Sequence, residues 1–167
     1  MVAATAAIGA ARAPPRGIGI GVTMTTIERV VALQRIPLFA DVPGRTLAAV
    51  AQRAIEVEMP AGVTVIAEGA VEDHLFALVR GRLRVHRGDQ TLAVLDFGAT
   101  VGELAALVPE PRSASVTVLL PAMLLRIDRA VLDELLVDRP ELARGIINAL
   151  VGMVRARTRP GADSTPA

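Results

Sequence analysis

The spacing of apolar positions changes period along the chain, from helical to alternating and back to helical. From Thr25 it is helical: Ile27, Val30, Val31 and Leu33 form one stripe, Thr25 or Thr26 supplies a cap, and Glu28 puts an acid in the first turn. Pro37 ends that helix, and Leu38-Phe39 read as a plug for a core. A second short helix opens at Pro43 with Leu47, Val50 and Ala51 on one face. Then Ile55-Glu56-Val57-Glu58-Met59 alternates with period two, Pro60-Ala61-Gly62 turns, and Val63 to Ile66 is β-branched up to Glu68-Gly69. His74 to Val79 is an apolar strand, punctuated by Gly81. Arg82 to His86 alternates, Gly88-Asp89 marks a hairpin, and Thr91 to Leu95 returns. Val116 to Leu120 and Met123 to Ile127 give two further strands around Pro121. Asp128 caps a helix carrying Val131, Leu132, Leu135 and Leu136. Pro140 starts a last helix with Leu142, Ile146, Ala149, Leu150 and Met153 in line, widened by Ile147, Val151 and Val154. So many short strands at regular spacing predict a jelly-roll or sandwich-like barrel, with helices before and after it.

The ends differ from this patterned region. Residues 1–23 are rich in Ala, Gly and Pro with scattered arginines, and Arg12, Pro14, Pro15 and Arg16 interrupt any apolar centre, so they read as a disordered extension rather than a signal peptide. Met24 opens the pattern and is a second candidate for the translation start. Residues 24–159 form the folded domain, and 160–167 a polar, flexible tail.

Composition narrows the chemistry. Of 167 residues 52% are hydrophobic but only 2% aromatic, so aliphatic side chains must fill the core. With 18 basic and 17 acidic residues the net charge is +1, which gives no global attraction to nucleic acid or an anionic membrane. The absence of cysteine excludes disulfides, thiol nucleophiles and cysteine metal sites. Apolar runs are broken before reaching the roughly 18 residues a membrane helix needs. A cytoplasmic location is expected.

The candidate chemistry lies in Val101-Gly102-Glu103-Leu104-Ala105-Ala106-Leu107 and, after Pro109 and Pro111, in Arg112-Ser113-Ala114-Ser115. Gly102 allows a sharp bend into a short helix, whose first amides and partial positive charge suit an anion. The prolines turn the chain back so that the Arg112 guanidinium can reach the same anion, with the Ser113 hydroxyl beside it. Glu103 would repel a phosphate, so its expected task is to accept hydrogen bonds from a sugar hydroxyl.

Gly102-Glu103-Leu104-Ala105 followed by Pro111-Arg112-Ser113-Ala114-Ser115 resembles the phosphate-binding cassette of cyclic nucleotide-binding domains. That family includes catabolite activator proteins, regulatory subunits of cyclic-nucleotide kinases and the ligand domains of cyclic-nucleotide-gated channels. The resemblance extends over roughly Ile36 to Arg157, since Gly62, Gly69, Gly81 and Gly98 fall at the family's turns. It implies an α+β, mainly β fold: a double-stranded β-helix (jelly-roll) barrel flanked by N-terminal helices and two C-terminal helices. It implies a regulatory sensor for a cyclic nucleotide, cyclic AMP with cyclic GMP as the alternative. Arg112, Ser113 and the amides of Gly102, Leu104, Ala105 and Ala114 would hold the cyclic phosphate, and Glu103 the ribose 2′-hydroxyl. The last helix would close over the base, with Met153 as the candidate contact, or pair with its twin in a homodimer.

Departures are Val101, where the family usually has an aromatic, and Ala70 and Glu72, where an Asp and a Gly are frequent; neither of the last two is expected to touch the clamp. His74 and His86, on separate strands, make a poor metal site; His74 is expected to cap a strand and His86 to be solvated. No catalytic Ser motif, P-loop or dinucleotide fingerprint occurs, so no enzyme, metal or cofactor is expected. A helix-turn-helix needs another helical pair beyond Arg159, so neither DNA nor membrane is an expected partner, and the effector is unknown. The competing reading is a non-binding jelly-roll used for interaction or dimerisation.

Overall fold

The computed structural model describes residues 23–102 and 110–158. Helix α1 (Thr26–Gln34) begins on a capping box: Thr25 Oγ1 accepts from the Glu28 amide, and the Glu28 carboxylate accepts from the Thr25 amide at 2.7 Å. Its buried face differs from the expected stripe. Ala32 and Leu33 are buried with Val30 packed beside them, whereas Ile27 is 76% and Val31 47% exposed. Arg29 decides the orientation. Its guanidinium pairs with Glu56 at 2.8 Å and donates to the carbonyls of Ala51 and Ala54, which turns Ile27 and Val31 outward. A 3₁₀ turn (Pro37–Phe39) then buries Leu38 and Phe39, as the plug reading requires. Helix α2 (Gly44–Arg53) buries Leu47, Val50 and Ala51.

Among the described residues six strands form one wholly antiparallel sheet: β1 (Ile55–Met59), β2 (Thr64–Ile66), β3 (His74–Arg87), β4 (Gln90–Leu95), β5 (Thr100–Val101) and β6 (Ser115–Asp128). The path runs β1-β6-β3-β4, with β2 also on β6 and β5 also on β3. Helices α3 (Arg129–Asp138) and α4 (Pro140–Thr158) follow, and helix and strand are roughly balanced. This is the α+β jelly-roll arrangement that the family resemblance implies.

Two expected strand pairs are each one strand. His74–Val79 and Arg82–His86 join as β3, and Val116–Leu120 and Met123–Ile127 join as β6. Gly81 and Pro121 bend these strands instead of ending them. The β3–β6 register slips between Leu78 and Leu83, and Gly81 takes φ +97° against the Pro121 carbonyl. Asp128 does occupy the cap position of α3, but its carboxylate accepts from Arg126 Nε at 2.7 Å and not from the helix amides.

Two cores share β3 and β6. Leu75, Ala77, Leu125 and Ile127 pack against the helices, with Phe39, Leu47, Leu132 and Leu142. Phe76, Leu78, Leu83, Val116, Val118 and Leu124 fill the barrel interior. The strands at this junction are apolar on both faces, which is why His74–Val79 reads as a run without alternation. Gly81→Ala should cost about 2–4 kcal/mol, since a Cβ would stand 2.5 Å from the Pro121 carbonyl at a φ that disfavours L side chains; urea unfolding measures it.

Candidate functional site

β5 brings the chain to the site by pairing Thr100 and Val101 with Ala77 and Phe76 of β3. Gly102 follows at φ +82°, a left-handed conformation in which its carbonyl meets the side chain of Arg112. A Cβ at this position would sit on Nη1 of Arg112, so the residue is glycine for space as well as for backbone angle.

The return of Arg112 is set by its own backbone. Its amide donates to Ala70 O at 2.9 Å and its carbonyl accepts from the Gly69 amide at 2.8 Å, which fastens it to the turn before β3. The side chain is buried, at 5% exposure. Nη1 donates to Gly102 O at 2.9 Å and Nη2 to His74 O at 2.5 Å. Nε lies 3.4 Å from Oε2 of Glu72. Here the sequence reading is corrected: Glu72 was expected to leave the clamp alone, yet its carboxylate forms an ion pair with the clamp's arginine. A buried cation without an anion would cost several kcal/mol, so some acid had to be brought near it.

A cavity of about 290 Å³ opens beside this arginine. Gly102, Arg112, Ser113 and Ala114 are among the residues that line it, so four of the expected binding residues meet at one place. Ile66, Val85, Leu95 and Val116 also line it and supply aliphatic surface able to take a flat ring. Thr100, which the sequence reading passed over, also lines it. Ser113 is further held through its carbonyl, which accepts from Arg87 Nε at 2.9 Å. Glu103, Leu104 and Ala105 lie outside the described residues, as do the side chain of Met153, residues 1–22 and the 160–167 tail.

His74 begins β3 as expected, but its ring is buried against Phe76 edge to face, 4.9 Å between centroids. Nε2 is 3.8 Å from Oε2 of Glu72, the same oxygen that faces Arg112. Burial holds the His74 pKa below its ordinary 6.5, helped by Arg126 and Arg112 and opposed by Glu72 and Asp128. His86 is not the solvated side chain expected. Its Nδ1 is 2.7 Å from Gly88 O and so carries the proton, and its Nε2 accepts from Thr117 Oγ1 at 2.9 Å. It ties the β3–β4 hairpin to β6. Among the described residues no group of three His, Asp or Glu side chains could hold a metal ion, and no helix is long and apolar enough to cross a membrane.

Comparison with known proteins bears on the domain as a whole. The sequence profile described as cyclic nucleotide-binding domain matches residues 56–139. A CRP-like cAMP-activated global transcriptional regulator of Mycobacterium tuberculosis is 28% identical over 136 residues, 78% of this chain and 61% of the regulator. A cGMP-dependent protein kinase of Caenorhabditis briggsae is 41% identical over 76 residues, 46% of this chain and 10% of the kinase. The chain thus spans about three fifths of the regulator and a tenth of the kinase. The N-terminal domain of a transcriptional regulator from Streptomyces coelicolor superposes with a TM-score of 0.69 at 29% identity, covering 80% of this chain and 99% of that one. A cyclic nucleotide-binding domain from Methylobacillus flagellatus gives 0.67 at 26%, covering 79% and 77%.

Two measurements on the ligand-free protein check the arrangement. Arg112→Ala should lower stability by about 2–4 kcal/mol, because it strands the Glu72 carboxylate and two carbonyls, and adding Glu72→Gln should recover part of the loss in urea unfolding. His74, with its pKa depressed, binds protons more readily when unfolded. Its contribution is therefore complete above about pH 6.5 and lost as pH falls through the folded value; a His74→Gln variant should show a flatter fall in stability between pH 7 and 5.

Proposed function

The chain belongs to the cyclic nucleotide-binding domain family, and from that premise we propose that it is a regulatory sensor for a cyclic nucleotide, with cyclic AMP as the preferred ligand. One observation carries the reading: a buried guanidinium, held by a glycine carbonyl, borders a cavity that aliphatic side chains also line. The cyclic phosphate bears one negative charge. Arg112 neutralises it, Ser113 donates a hydroxyl, and amides of Gly102, Leu104, Ala105 and Ala114 complete the cradle. Glu103 accepts from the ribose 2′-hydroxyl. The base lies on the wall of Val85 and Leu95. The preference for adenine is supported by the cAMP-activated mycobacterial relative, which aligns over most of the chain, while the cGMP-dependent kinase aligns over less than half.

The role is sensing, not catalysis, exercised by a domain spanning 24–159. Nucleotide binding draws α4 from an open to a closed position with Met153 over the base, and the differential affinity for the two positions drives the shift. Helix α4 has a second face for this purpose. Leu142, Ile146 and Ala149 are buried against the domain, while Ile147, Val151 and Val154 are 58%, 43% and 61% exposed at helical spacing. That outer stripe pairs with its twin in a homodimer, which passes the signal to an effector protein.

Calorimetric titration with cyclic AMP and cyclic GMP tests the ligand. Heat and a thermal shift are expected with cyclic AMP, and silence with both nucleotides would sink the proposal. Arg112→Gln should weaken binding by roughly 10- to 100-fold, the worth of one charged hydrogen-bonding group. For the dimer, Ile147→Glu combined with Val151→Glu should convert the protein to a monomer in sedimentation equilibrium without lowering its melting temperature.

A further inference from the structure

The carboxylate that compensates Arg112 is shared. Glu72 Oε2 is buried and accepts no hydrogen bond of good geometry among the described residues. It lies 3.4 Å from Arg112 Nε and 3.8 Å from His74 Nε2. One oxygen thus faces a permanent cation and a titratable ring. The same histidine is joined to Arg112 a second time, because its carbonyl accepts from Nη2. Binding of an anion by Arg112 needs the guanidinium charge, and Glu72 spends part of that charge.

We propose that His74 is a positioning residue for Arg112: its imidazole competes with the guanidinium for the Glu72 carboxylate, so a proton on His74 tightens the site's hold on a phosphodiester. The proposal rests on the cyclic-nucleotide reading and adds a regulation to it. With His74 neutral, Glu72 pairs with Arg112 alone and offsets its charge. With His74 protonated, Glu72 is drawn toward the ring, and Arg112 turns its charge to the cavity. The new imidazolium adds its own field.

The other charges around the ring do not reverse the sign. Asp73, in the same turn, is 4.0 Å from Nδ1 but 78% exposed, so water screens it. From β6, Asp128 favours the protonated ring and Arg126 opposes it, and these two pair with each other at 2.7 Å. From the returning segment Arg112 itself opposes the proton. That opposition is the coupling: an anion on Arg112 relieves it, so nucleotide and proton each favour the other by the same factor. Burial holds the pKa of the ring below its ordinary 6.5, so the ring is neutral at pH 7.5 and the response comes on as pH falls.

The test is calorimetry with cyclic AMP at pH 7.5 and 5.5, together with proton NMR of the two histidine rings. Affinity should rise roughly three- to tenfold on acidification, and the His74 ring should titrate at higher pH in the nucleotide-saturated protein than in the free one. His74→Gln should bind with the same affinity at both pH values, whereas His86→Gln should keep the parental ratio and assign the resonances. A parent protein that binds equally at both pH values, a His74 titration unmoved by nucleotide, or an acid response surviving in His74→Gln would each overturn the proposal while leaving the nucleotide reading in place. A parent protein that binds neither cyclic AMP nor cyclic GMP at either pH would overturn both.

Discussion

Arg112 is a permanent cation lodged where water barely reaches, and the site is built outward from what that demands. Desolvating a guanidinium is tolerable only when every direction of its fork meets an acceptor. Gly102 O and His74 O accept from its two terminal nitrogens, and the Glu72 carboxylate stands 3.4 Å from Nε as an ion pair; the three come from separate segments of the chain. Each supplier is constrained in turn. Gly102 can have no side chain, the Gly69-Ala70 turn must pair with the Arg112 backbone, and β3 must begin where its first carbonyl faces inward. The arginine therefore organises the site, and under the cyclic-nucleotide proposal it is held in place before an anion arrives. Such preparation spares the ordering cost that a mobile surface arginine would meet on binding.

Much of this was legible from residue order alone, and the exceptions share a cause. The helix starts, the plug at Leu38-Phe39, the hairpin at Gly88-Asp89 and the convergence of Gly102, Arg112, Ser113 and Ala114 depend on local pattern or on residue types with few alternatives. The partnership of Glu72 with Arg112 depends on two segments 40 positions apart meeting in space, and a lone Glu in a turn carries no mark of its partner. His86 was misjudged for the same reason: alternation with Arg82 and Arg84 points it outward, but Thr117 on the neighbouring strand catches its ring. Ile27 and Val31 mislead differently. Their spacing marks an apolar stripe, but the reach of Arg29 to Glu56 and to the end of α2 fixes which face turns inward. A long-range polar anchor outweighed two aliphatic side chains.

Gly81 and Pro121 show how two breakers can serve one continuous element. Read singly, each ends a strand. They meet across β3 and β6, where the glycine makes room for the proline's carbonyl and both strands bend together. The bend lets a 14-residue strand contribute to the barrel along its length and still lie under the helices at one end. Residues 75 to 78 alternate between the two cores: Leu75 and Ala77 touch the helical side, Phe76 and Leu78 the barrel interior. A displacement of this short segment is therefore felt by both cores at once, because close-packed interiors do not absorb it locally.

The cavity-lining arginine is tied to the beginning of that segment, and so is the helical end of the molecule. Nη2 of Arg112 holds the carbonyl of His74, while the carbonyl just before it, on Asp73, accepts from the amide of Arg129, the first residue of α3, at 2.6 Å. His74 also stands opposite Asp128 in the β3–β6 register, one residue ahead of α3. Two consecutive peptide units thus carry the site on one side and the start of the C-terminal helices on the other. Rotating the first to follow a shifting guanidinium strains the second, since the planar peptides leave only the dihedrals at their shared α-carbon to adjust. Cavity and helices are thus joined by a path one residue long, and that residue is His74.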